Sequence, residues 1–181
     1  MSRRIRTGNH EHTGPVLEVE DLTVSFPTDD GLVEAVRGVS WSLQPGRVLG
    51  IVGESGSGKS VSANALMGLL PKNARISGQA RFKGEELLEM SDKELSTLRG
   101  SRLAMIFQDP MTSLNPVYRI GWQIAEAIRL HNDVTKDEAR DRAIELLRTV
   151  GIPNAEERVD NYPHEFSGGM RQRVVIAIGM P

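Results

Sequence analysis

The sequence predicts an α/β fold in which an N-terminal antiparallel β layer leads into a parallel-sheet core and a helical subdomain. Three observations carry this expectation. Residues 16–26 partly alternate apolar and polar side chains, the pattern of a half-buried strand. Residues 47–52 form a short, nearly continuous apolar run, the pattern of a strand covered on both faces in a parallel sheet. A glycine-rich stretch then separates that run from a helix expected to reach about Leu70, where Pro71 ends it.

Taken in order, residues 1–15 read as a flexible tail. Arg3 and Arg4 superficially suggest a twin-arginine signal, but residues 7–15 are polar where an apolar stretch would have to follow. His10, Glu11 and His12 lie in this tail and read as solvated side chains, not as a metal site. Pro27 to Gly31 supply turn chemistry after the first strand. Two further strands are expected over residues 32–36 and 39–43, followed by a turn at Pro45 and Gly46. The β layer and the glycine-rich loop thus occupy residues 16–71.

A helical subdomain is expected over about residues 90–165. Ser91 precedes Glu94, and Thr135 precedes Glu138, at the spacing of a capping box. Gly100 and Gly151 stand where C-caps belong. Between Thr135 and Gly151, Ala139, Ala143, Leu146, Leu147 and Val150 share one helical face, while Glu138 and Arg142 pair on the other. A last helix is expected over residues 167–180. The chain carries no internal repeat or low-complexity segment.

Composition narrows the function classes. With 181 residues the length fits one domain. The formal net charge of -2 gives no overall field that would attract nucleic acid or acidic lipid, so no nucleic-acid partner is expected. The longest apolar runs, 48–52 and 174–180, fall far short of the ~20 residues that cross a bilayer. Cysteine is absent, which removes disulfides and thiolate metal sites and leaves the cytosol as the default compartment.

The loop Gly53, Glu54, Ser55, Gly56, Ser57, Gly58, Lys59, Ser60 matches Gly-x4-Gly-Lys-Ser/Thr between an apolar strand and a helix. A triphosphate is a dense anion, and binding it demands converging N–H donors and positive charge. Glycines at 53, 56 and 58 allow the backbone amides to turn inward, and the following helix points its N-terminus at the same spot. Lys59 is expected to reach the β and γ phosphates, and Ser60 to place its hydroxyl on Mg2+. The competing reading is a glycine-rich turn that binds nothing; chance alone gives such a match in roughly one sequence in a hundred of this length.

A second constellation follows at residues 163–173. Ser167 reads as a helix N-cap, and Gly168 and Gly169 leave the first amides of that helix bare, ready for an anion. Alone, the same three residues make an ordinary cap. Together with the loop at 53–60, the stretch Phe166, Ser167, Gly168, Gly169, Met170 resembles the signature motif of ATP-binding cassette proteins, with Phe166 and Met170 in place of the commoner leucine and glutamine. The wording of residues 162–173, and that of 107–116, is similar to the ATPase subunits of oligopeptide and dipeptide importers, over essentially everything from Val16 onward.

The resemblance implies a phosphate-loop NTPase of the cassette type. It implies a head-to-tail dimer with a second such ATPase subunit, in which ATP on one phosphate loop is capped in trans by Ser167, Gly168 and Gly169 of the other. Gln108 would open the Q-loop and contact Mg2+ or the attacking water; its neutral amide both donates and accepts. Phe26 maps onto the adenine-stacking aromatic, with a plain core phenylalanine as the competing reading. Trp122 and Arg119 would fall near the coupling surface, with a half-exposed core tryptophan as the stronger competing reading. The partners implied are transmembrane permease subunits and, indirectly, a solute-binding protein, with the subunit peripheral on the cytoplasmic face of the inner membrane.

In the family, an aspartate that positions Mg2+, a glutamate that polarises water and a switch histidine follow the signature helix. Here no acidic residue follows Glu165, and none of the four histidines lies beyond the signature. The sequence therefore reads as truncated before those groups, with little turnover expected of the chain itself and a sheet short of interior strands. Two alternatives stand beside the importer ATPase: a non-hydrolysing nucleotide-binding fragment, and a soluble cassette protein of translation or repair. The transported solute stays open among dipeptides, oligopeptides, nickel and glutathione.

Overall fold

The computed structural model describes residues 13–107 and 113–180, and the chain divides into two compact units, one reaching Ser96 and the other starting at Thr97. In the first unit, β1 (Leu17–Thr28), β2 (Gly31–Leu43), β3 (Arg75–Phe82) and β4 (Glu85–Glu86) form an antiparallel sheet in the order β2-β1-β3-β4. The expected strands 32–36 and 39–43 are one strand. Between them Leu22 pairs with Val39 and Val24 with Val36, so one residue of β1 faces two of β2. Gly38 takes φ 64 there, which makes the irregularity a bulge within a continuous strand. The hairpin turn is tighter than the sequence suggests, because Thr28 already pairs with Gly31 and leaves only Asp29 and Asp30 as the loop.

Residues 47–52 are not a strand, which corrects the expectation of a parallel-sheet strand buried on both faces. Val48 is 99% exposed and Val52 96%. A strand of that kind is held by ladders on its two sides, and among the described residues no strand lies beside this run. Apolar composition makes the run suitable for burial without supplying the neighbours that bury it.

Helix α1 (Lys59–Leu66) is shorter than expected. The Gly68 amide bonds the Ala65 carbonyl at 3.1 Å and the Leu69 amide bonds Asn64 at 2.9 Å. With Gly68 at φ 62 this is a Schellman C-cap, so glycine ends the helix before Pro71 is reached. Helix α2 (Asp92–Leu98) starts at the expected capping box: the Ser91 amide donates to the Glu94 carboxylate at 2.8 Å, and the Glu94 amide to Ser91 Oγ at 3.3 Å.

In the second unit, α3 (Ile120–His131), α4 (Lys136–Thr149), the short α5 (Ala155–Arg158), a 3-10 turn (Pro163–Glu165) and α6 (Gly168–Ile178) enclose one apolar core. Phe166, Ile120, Ile124, Ile128, Leu147, Val159 and Val174 are fully buried in it. The apolar face read for residues 135–151 is the face α4 buries, with Ala139, Ala143 and Leu147 inside and Leu146 and Val150 partly covered. Thr135 closes its capping box with Glu138 through bonds of 2.9 and 3.3 Å. Gly100 and Gly151 take positive φ, as C-cap positions do. No helix among the described residues is long and apolar enough to cross a membrane.

Candidate functional site

The loop at residues 53–60 is built by its local sequence. Gly56 and Gly58 adopt φ 82 and 87, a region that side chains rarely enter. Gly58 is also the N-cap of α1, with no side-chain cap, so the helix opens directly onto the loop. A Cβ at Gly53 would lie 2.5 Å from Ser57 Oγ, so any other residue there would push that hydroxyl aside. Lys59 folds back over it, its Nζ donating to the carbonyls of Gly53 and Glu54 at 2.7 Å each and to Ser57 Oγ at 3.2 Å. Ser60 is exposed on the first turn of α1. Glu54 and Ser55 lie on the exposed rim.

Gly53, Gly56, Ser57 and Lys59 line a cleft of about 490 Å³ together with Val36, Arg37 and Trp41 of β2, whereas Glu54, Ser55 and Ser60 do not line it. The donor set suits an anionic ligand: an ammonium held over a glycine loop, a helix N-terminus behind it, and a hydroxyl at the first helical turn. Phe26 does not line this cleft. It is half-buried on β1, opposite Val33. Gln108 lies outside the described residues, as do His10, Glu11 and His12.

In the second unit Ser167 is the N-cap of α6, its Oγ accepting from the Met170 amide at 3.4 Å. Ser167, Gly168 and Gly169 are exposed, and open space surrounds the position a Cβ would take at either glycine. Phe166 just before them is buried in the core and anchors the turn, and its carbonyl accepts from Arg171 Nε at 2.9 Å. The constellation is therefore an open helix N-terminus on a rigid support.

A charged cleft of about 410 Å³ lies elsewhere in this unit, lined by Arg119, Trp122, Arg129, Lys136, Arg140 and Asp160 among others. Asp160 accepts from Arg140 at 2.9 and 2.6 Å, and those hydrogen bonds, more than Coulomb attraction, hold its carboxyl below the ordinary range against the opposing effect of burial. Arg119 is raised above its ordinary value first by Tyr162 and then by Asp160. Trp122 is half-exposed and stacked on Tyr118 at 4.3 Å. Nothing in the local sequence signals Asp160 as the clamp of two arginines, because its partners lie 20 and 41 residues away. The backing of the glycine loop by β2 escapes sequence reading for the same reason.

The sheet, the glycine loop and the helical unit with its open N-terminus define the class: residues 36–180 match the ABC transporter family, and the chain belongs to it. Among curated relatives it is 54% identical over 165 residues to an oligopeptide transport ATP-binding protein, OppD, of Salmonella typhimurium, which covers 91% of this chain and 49% of that protein. It is 54% identical over 167 residues to a dipeptide transport ATP-binding protein, DppD, of Lactococcus lactis, covering 91% and 48%. The chain spans about half the length of these relatives. Its fold is similar to the ATP-binding cassette MJ0796, solved as a dimer in a post-hydrolysis state bound to ADP and Pi, with a TM-score of 0.78 at 23% identity, covering 91% of this chain and 68% of that one.

Proposed function

We propose that this chain is the nucleotide-holding portion of the ATPase subunit of an importer for dipeptides or oligopeptides. The observation that carries the reading is the Lys59 ammonium poised over a glycine loop at the N-terminus of α1. The likeness to oligopeptide and dipeptide transport ATP-binding proteins supports the importer class. Gly53 to Lys59 would hold the phosphates of ATP, and Ser60 and Gln108 would hold Mg2+, which supplies neutralisation of charge on the transferring phosphoryl group.

Ser167, Gly168 and Gly169 would cap ATP held by a second subunit, a reading supported by their exposure and by the dimeric form of the similar cassette. The remaining partners would be permease subunits and, through them, a solute-binding protein, with the subunit peripheral on the cytoplasmic face of the inner membrane. A second reading applies to turnover by these 181 residues. Since no acidic residue follows Glu165, we expect ATP to bind but hydrolyse little.

Titration of the 181-residue chain with a fluorescent ATP analogue, beside Lys59→Ala, tests both readings. Binding that Lys59→Ala weakens at least about tenfold supports the nucleotide site, whereas equal binding by the two proteins refutes it. Phosphate release measured on the same samples decides the second reading, and robust Lys59-dependent turnover overturns it.

A further inference from the structure

We infer that Val36 on β2 is a positioning residue for the phosphate loop, setting the loop's preference for a triphosphate through its contact with Gly58. The inference rests on the nucleotide reading of that loop. Along thirteen residues β2 has a single buried side chain, and it is Val36, at 5% exposure. Its neighbours along the strand do not share that burial: Glu34 and Arg37 are exposed and Ala35 is half-buried.

Two sets of contacts converge on Gly58. On one side its carbonyl accepts from the Ser62 amide at 2.8 Å and from Ser62 Oγ at 3.0 Å, and Ser62 is itself buried. On the other side a Cβ at Gly58 would collide with the Ala35 carbonyl oxygen and stand 3.1 Å from Val36 Cγ2. Gly58 is buried although residues 53–57 are exposed. The hinge between loop and helix is therefore wedged between α1 and β2, while the rest of the loop faces solvent.

Val36 in turn pairs with Val24 of β1, which is fully buried, so the wedge is continuous with the core of the sheet. Removing its methyl groups opens space on the side of Gly58 that faces β2 and leaves only the Ala35 carbonyl to hold it. The amides of residues 56–60 then lose their common direction, and a ligand that needs many of them at once loses most. A triphosphate is such a ligand; a monophosphate is less so.

The experiment measures the affinities of ATP and AMP for the 181-residue chain as wild type, Val36→Ala, Val36→Ile and Val19→Ala. Val19 is as deeply buried on β1 but does not line the cleft, so its truncation serves as the control for lost stability. All titrations run at a temperature where circular dichroism shows each variant folded. The expected result is an ATP-over-AMP preference that falls about tenfold in Val36→Ala, is kept in Val19→Ala, and is restored in Val36→Ile, whose Cγ1 takes the place of Cγ2. If Val36→Ala does not fold, the comparison rests on Val36→Thr, which keeps the branched shape with Oγ1 in the place of Cγ2 and is expected to retain the preference, against Gly58→Ala, which is expected to lose it. An unchanged preference in Val36→Ala or Gly58→Ala, or an equal loss in Val19→Ala, overturns the inference while Lys59-dependent ATP binding stands. Absence of that binding in the wild type overturns the nucleotide reading and the inference with it.

Discussion

The two units differ in how far each completes itself. In the unit from Thr97 onward, helices joined by short connections bury one another's apolar faces around Phe166, Ile124 and Val174. In the unit reaching Ser96, the sheet buries Val19, Leu22, Val24, Ala80 and Phe82, yet Val48, Leu49, Ile51 and Val52 are left facing solvent. The difference teaches where each kind of order comes from. Helix hydrogen bonds are satisfied within the segment, so a helical face needs only something apolar to lie on. A strand's hydrogen bonds are satisfied by another strand, and residues 47–52 have no such neighbour among those described.

Phe166→Ala tests the contrast most severely. Phe166 is 2% exposed in the centre of the helical core, and its truncation is expected to destabilise that unit by about 3–5 kcal/mol, measured by urea unfolding. A loss below about 1 kcal/mol would mean that the helical core is not the self-sufficient element of the chain. Thr135→Ala comes next, because it removes the cap of α4 that bonds the Glu138 amide. It should cost about 1 kcal/mol, and restoring a cap with Thr135→Asp should recover most of it.

A smaller effect is expected at Asp160. Its carboxyl is lowered from the ordinary 3.8 in the folded protein, mainly by the hydrogen bonds from Arg140. A depressed folded value gives stability that is present above 3.8 and is lost as pH falls through the lower value. The pair is nearly half exposed and so screened by solvent, and Asp160→Asn should cost only about 0.5 kcal/mol at neutral pH. Stability curves of Asp160→Asn and the parent chain should converge as pH falls well below 3.8, and a gap that persists there would assign the loss to packing instead of charge. The smallest effect belongs to the unpartnered run. Val48→Ala should stay within about 0.5 kcal/mol, and a larger loss would show that residues 47–52 are covered after all.

Much of the helical structure is legible in the sequence because its signals are local. Capping boxes at Ser91 and Thr135 and the apolar face of residues 139–150 rest on spacings of three and four residues, and each is present in the structure. The end of α1 falls a few residues short of the expected one, since Gly68 stops the helix with two backbone bonds before Pro71 can. Strand β2 reads as two strands in one dimension because a bulge and a break look alike there.

The glycine loop is the part of the candidate site that the sequence determined by itself. Its turn needs residues that tolerate positive φ, its charge needs Lys59, and both requirements are met within eight consecutive positions. The tertiary structure decided what stands behind and beside that loop. Val36 reaches Gly58 from a strand more than twenty residues away in the chain, and Trp41 lines the same cleft while Phe26 does not. It also decided that the apolar run at residues 48–52 is exposed, with no strand beside it among the described residues. The physical reason is common to all three: backbone conformation is set by neighbours in sequence, whereas burial and approach are set by whichever segments folding brings alongside.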